Sequence, residues 1–178
     1  MKKTLCAAVL SAALALPAAA HGADADHIGT FGDWKAFSFM EGSGKVCFMT
    51  STPAKSEASV AGARRGDIAF YITHWAADKT KNVVSTAVGY PLKEGTAVTV
   101  AVDGTNYTLA TNLSNKPAEK EMAWAPDQAT DNALAAAIQK GSSMTVRGTS
   151  ARGTRTADTY SLKGSGDAYK AISTACGF

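Results

Sequence analysis

From Phe31 onward, apolar and polar residues alternate with a period of two in short segments rich in Val, Thr and aromatics, the spacing of strands buried on one face. Trp34, Ala36, Ser38 and Met40 fall on one side of the first segment, and Val46 and Phe48 on one side of the second. Residues Pro53 to Gly62 break the alternation and predict a loop. Ile68, Phe70, Ile72 and His74 then line one side of a strand whose other side carries Ala69, Tyr71, Thr73 and Trp75, so both of its faces are expected to be buried. Val84, Thr86 and Val88 continue the pattern. Asp103-Gly104 suits a two-residue type I′ turn, whose central positions both need positive φ. A hairpin about it sets Val100 opposite Tyr107 and Val98 opposite Leu109, and a slip of one residue would break both pairs. Met122 and Trp124 predict a further strand ended by Pro126, and Met144, Val146, Tyr160 and Leu162 mark two more joined by a turn at Gly153.

Helical spacing occurs in two places. From Asp127 to Lys140, acids stand near the start, Leu134, Ala137 and Ile138 share a stripe, Lys140 lies in the last turn and Gly141 follows as a stop. The second run opens with Ser165 and Asp167 and places Tyr169, Ile172 and Cys176 on one face. About eight or nine strands with two short helices predict antiparallel sheets packed face to face, a mainly β sandwich, and no βαβ units.

The chain of 178 residues begins differently. Lys2 and Lys3, an apolar run from Leu5 to Leu16 and Ala18-Ala19-Ala20 have the form of a secretory signal peptide over residues 1–20. Its apolar run is too short to span a bilayer, and no later segment is long enough either, so no transmembrane segment is expected. Residues 21–30 are polar and without periodicity, which predicts a mobile tail ahead of a domain over 31–178. Removal of the signal leaves 16 basic against 15 acidic residues, which excludes nucleic-acid binding by bulk charge. It also removes Cys6 and leaves Cys47 and Cys176. In an oxidising compartment such a pair reads first as a disulfide closing a loop of about 130 residues, worth about 4–5 kcal/mol in the chain-entropy model. Two buried thiols, or a redox pair lacking a C-x-x-C motif, are the alternatives.

The sequence carries little catalytic chemistry. No G-x-S-x-G, H-E-x-x-H, Walker or G-x-G-x-x-G motif follows the signal, and no cofactor is called for. His74 sits on an apolar strand face and reads as a core or rim histidine, while His27 falls in the tail. Cleavage after Ala20 would make His21 the mature N-terminus, whose amine and imidazole chelate copper when a second histidine completes the site. A periplasmic copper carrier or enzyme using His21 or His74 is therefore the alternative class. Arg65-Gly66-Asp67 spells a tripeptide that integrins recognise, but its place directly before a strand reads as a glycine-assisted strand start. Across the final hairpin, Lys140, Arg147, Arg152, Arg155 and Lys163 meet a single acid, Asp158. Arg147, Arg152, Arg155 and Lys163 are the candidate residues for an anionic group or a partner, since guanidinium forks bind carboxylate and phosphate bidentately.

The segments Phe31-Gly32-Asp33-Trp34, Val46-Cys47-Phe48, Arg64-Arg65-Gly66-Asp67, Val88-Gly89-Tyr90-Pro91, Ala123-Trp124-Ala125, Gly148 to Thr154 and Asp158 to Gly164, closed by Ala171-Ile172 and Cys176, occur in that order along the chain. In this arrangement the chain resembles the invasion associated locus B family of alphaproteobacteria. The resemblance implies a periplasmic, secreted or outer-membrane-associated protein with an immunoglobulin-like sandwich and no established enzymatic activity. Because the residues form no paired acid/base constellation, the expected role is non-catalytic contact with an envelope protein or an anionic envelope component. The founding member of the family is linked to erythrocyte invasion, which adds host-cell interaction to the roles to be considered. Many members carry a further cysteine soon after the first tryptophan, where this chain has Phe37-Ser38-Phe39.

Overall fold

A computed structural model describes residues 25–111 and 116–178. The Asp103-Gly104 turn joins β7 (Val98–Val102) to β8 (Thr105–Thr111) in the expected register, Val98 opposite Leu109 and Val100 opposite Tyr107. Asp103 and Gly104 take φ of 44° and 91°, the left-handed values that this turn requires. The other strands are β1 (Asp26–Phe31), β2 (Trp34–Glu41), β3 (Gly44–Ser51), β4 (Lys55–Ala58), β5 (Ala69–Trp75), β6 (Thr80–Ala87), β9 (Met122–Trp124), β10 (Ser143–Thr149) and β11 (Arg155–Ser161). They form one antiparallel ladder of 11 strands in the order β1-β2-β3-β5-β6-β9-β8-β7-β10-β11-β4.

The ladder folds over on itself into a sandwich-like pair of layers. Trp34, Ala36, Met49, Phe70, Ile72 and Val84 of one layer meet Val98, Val100, Leu109, Met144, Val146 and Tyr160 of the other, all buried. Phe70 bridges the layers, its ring edge-on to Trp34 at 6.4 Å and to Tyr160 at 6.1 Å between centroids. Each buried side chain of this size contributes about 1.5–3 kcal/mol by leaving water.

Two helices close one end of the core. α1 (Gln128–Lys140) starts where Asp127 accepts a hydrogen bond from the Thr130 N–H at 2.7 Å, and it buries Leu134, Ala135 and Ile138. α2 (Ser165–Cys176) follows Gly164, which holds φ 88° with its Cα pressed on the Phe31 backbone, so any side chain there would collide with that strand. Ala168, Ile172 and Cys176 of α2 face inward, and Cys176 is bonded to Cys47 of β3 across a separation of 129 residues.

Several expectations are corrected. Asp26–Phe31 forms an edge strand paired with β2, although residues 21–30 read as a tail. Backbone pairing holds it with little burial, so side-chain alternation could not reveal it. Residues 21–24 and the signal segment 1–20 lie outside the described residues. The predicted loop after Pro53 contains β4, whose residues are all exposed, and which covers the edge of β11. In β3, Val46 and Phe48 share a face as expected and Val46 is buried, but the face turned to the main core is the opposite one, that of Cys47, Met49 and Ser51. In β9 the fully buried residue is Ala123, between the half-buried Met122 and Trp124. β5 buries Phe70, Ile72 and His74 but leaves Ala69, Tyr71, Thr73 and Trp75 half-exposed. Its outer aromatics shelter one another instead: Phe48 stacks on Phe37 at 5.2 Å and meets Tyr71 at 6.4 Å.

Candidate functional site

At the end of the sandwich where β5 begins, the loop that enters it is drawn against the turn that leaves β6. The Gly66 N–H donates to the Gly89 carbonyl at 2.8 Å. Gly89 holds φ 71°, and a Cβ on it would stand 2.6 Å from the Gly66 carbonyl oxygen, so only glycine permits this approach. The contact sends the Arg65 side chain inward. Its Nη1 and Nη2 donate to Asp158 Oδ1 and Oδ2 at 2.6 and 2.7 Å, and its Nε and Nη2 donate to the Val88 carbonyl at 3.1 and 2.7 Å. The guanidinium lies 5.1 Å from the centroid of the Tyr90 ring. The pair is enclosed, with side-chain exposures of 10% and 1%.

The electrostatics of this floor are balanced. Burial acts to lower the pKa of Arg65, and the hydrogen-bonded carboxylate of Asp158 outweighs it, so the net direction is upward and the charge is retained. Burial pushes the Tyr90 phenol up, and its oxygen stays protonated at 2.6 Å from Thr156 Oγ1. The Arg65-Gly66-Asp67 tripeptide thus uses its arginine internally and does not present it to a receptor.

Above this floor opens a cleft of about 540 Å³. One wall is the loop carrying Val60, Ala63 and Arg64; the other is the β10–β11 turn with Ser150, Ala151, Arg152 and Thr154. That turn is braced. The Ala151 N–H donates to the Pro91 carbonyl at 2.8 Å, the Gly153 N–H to the Ser150 carbonyl at 2.7 Å, and the Thr154 N–H to Ser150 Oγ at 3.1 Å. Glu121 completes the lining, with Oε2 3.8 Å from where a Cβ of Gly66 would stand. Arg64 and Arg152 are exposed, and among the described residues neither they nor Glu121 form an ion pair.

Of the four basic residues singled out by sequence, only Arg152 lines the cleft. Arg147 and Arg155 lie diagonally across the outer face of β10 and β11, with Arg147 opposite Ala157 and Arg155 opposite Thr149. Lys163 is beyond the far end of β11, eight residues from Arg155 and so about 25 Å away at ~3.3 Å per residue. Sequence reasoning missed Arg64, Glu121 and Tyr90 as cleft residues. The adjacent Arg64-Arg65 pair was the available signal, but its partners come from segments far along the chain.

The histidines are placed elsewhere. His74 is fully buried at the opposite end of β5, where Nδ1 accepts from the Asn82 N–H at 3.1 Å, which leaves the proton on Nε2 to donate to Ser173 Oγ at 3.1 Å. The rings of Tyr169 and Phe178 meet it edge-on at 5.4 and 5.3 Å. Burial pulls its pKa down, so the ring is neutral at pH 7. His27 lies on β1, with Nε2 3.0 Å from Thr30 Oγ1. His21 is outside the described residues. Among the described residues no three His, Cys, Asp or Glu side chains are grouped to hold a metal, and no helix is long and apolar enough to cross a membrane.

The model of the invasion associated locus B (IalB) protein family matches residues 34–173, from the buried tryptophan of β2 to the last turn of α2. The chain belongs to the IalB family. The crystal structure of invasion associated protein b from Bartonella henselae has a similar fold, with a TM-score of 0.58 and 19% identity over 83% of this chain and 95% of that one. No curated protein matches the chain. The IalB match takes in the Cys47 strand, Arg65, Gly89, Arg152 and Asp158, and so contains the whole cleft.

Proposed function

We propose that this IalB protein is exported to the periplasm or the outer envelope and works there without catalysis, by binding an anionic group of an envelope component or partner protein at the cleft between the Val60–Gly66 loop and the β10–β11 turn. The observation that carries this reading is the placement of Arg64 and Arg152 on separate walls, both exposed, above a floor where Arg65 is already neutralised by Asp158. Two guanidinium forks supported by a braced turn suit a carboxylate or phosphate, and little of their charge is spent internally. The signal-like residues 1–20 and the Cys47–Cys176 disulfide support export. Both ring nitrogens of His74 are engaged within the core, which weighs against a histidine-based enzyme or copper carrier.

The test is a titration of the purified protein with acetate and with phosphate at constant ionic strength, following the arginine Nε–H resonances by NMR. Saturable shifts are expected at Arg64 and Arg152 and not at the enclosed Arg65, and in Arg64→Ala the shift at Arg152 should need a higher anion concentration to saturate. Equal, non-saturating shifts at every exposed arginine would overturn the reading.

A further inference from the structure

The cleft is not uniformly cationic, and its one acid is the informative residue. Glu121 closes the short 3-10 turn Pro117–Glu121, and its backbone is tied to the β6 exit, with the Val88 N–H donating to the Glu121 carbonyl at 3.0 Å. Glu121 is half-buried, with its carboxylate beside the Gly66–Gly89 contact, while Arg64 and Arg152, which line the same cleft, are exposed. A site meant for a bare anion would gain nothing from a carboxylate there, because it repels the ligand. The same carboxylate favours a ligand that carries an ammonium group as well.

We infer that the cleft takes a small zwitterion of the peptide type, a short chain with free ends whose carboxylate meets Arg64 and Arg152 and whose ammonium meets Glu121. This rests on the anion-binding reading above and adds the second charge to it. Size agrees: about 540 Å³ lies within the range of small-ligand pockets and accommodates a few residues. The walls agree too. Val60, Ala63, Pro91 and Ala151 are apolar, and they suit aliphatic side chains such as the methyl groups of alanine. Ser150 and Thr154 add hydroxyls able to bond a peptide group.

The experiment is calorimetric titration of the full mature chain with trialanine bearing free ends, with N-acetyl-trialanine, with trialanine amide and with acetate alone. Free trialanine is expected to bind at least roughly tenfold more tightly than the acetylated form, and Glu121→Gln to abolish that preference while leaving the melting temperature unchanged. The amide should lose affinity in the wild type as free trialanine does in Arg64→Ala/Arg152→Ala. If free and acetylated peptides bind equally, the zwitterion inference fails while anion binding stands. If no peptide binds better than acetate, it fails for want of peptide recognition, and if acetate also fails to bind, both readings fall together.

Discussion

At one end of β5, His74 is enclosed beside the Cys47–Cys176 bridge, neutral, hydrogen-bonded on both nitrogens and flanked by the rings of Tyr169 and Phe178. At the other end, the loop entering the same strand buries a charge, Arg65, and neutralises it with Asp158. The first arrangement joins two elements covalently around an uncharged ring. The second joins the β5 entry, the β6 exit and β11 through one guanidinium, and it leaves the neighbouring Arg64 unspent at the surface. A buried ion pair is poor net stabilisation against an apolar pair of equal volume, because desolvating both charges offsets most of their attraction. What it supplies is placement: three segments distant in sequence are held where a cleft can form between them.

Removing the covalent clamp is the most severe way to break this comparison. Cys47→Ser/Cys176→Ser should cost up to about 5 kcal/mol, as the chain-entropy model gives for a loop of 129 residues, measured as a lowered urea midpoint against the oxidised protein. Disabling the polar end comes next. Asp158→Ala leaves a buried guanidinium without its partner and should cost about 3–5 kcal/mol, whereas Arg65→Met/Asp158→Leu should cost far less, and a double-mutant cycle of unfolding free energies checks both.

Sequence revealed the closed end more readily than the open one. The Asp103-Gly104 turn, the acids that open α1 and the Gly141 that stops it, and the inward face of α2 with Cys176 are local signals, set by turn geometry, helix polarity or helical period. Strands β1 and β4 escaped because both are edge strands with exposed side chains, held by backbone pairing that leaves no trace in hydropathy. In the cleft, Arg152 was legible from the charge imbalance of the hairpin. Arg64 and Glu121 were not, since what unites them is the close approach of Gly66 and Gly89, a contact without periodicity.

The smallest effect sharpens the comparison by pH. His74 titrates below its ordinary value of 6.5 because burial disfavours its charge. The unfolded chain therefore takes up a proton near pH 6.5 where the native chain does not, so stability is full above that pH and declines as pH falls below it. His74→Gln should flatten the decline between pH 7.5 and 5.5 in urea midpoints. Asp131, pushed upward by burial from 3.8 while accepting from the Val84 N–H at 2.8 Å, has the opposite sign and is common to both proteins, so it cancels from the difference. A slope unchanged in the variant would show that His74 does not set it.

The span of the bridge has a consequence for assembly. Cys47 lies in the third strand and Cys176 in the final turn of the last helix, so a chain emerging amino end first presents the earlier thiol long before its mate. Until α2 follows, an oxidant meets only half of this pair. Closure therefore records that the entire ladder has been delivered.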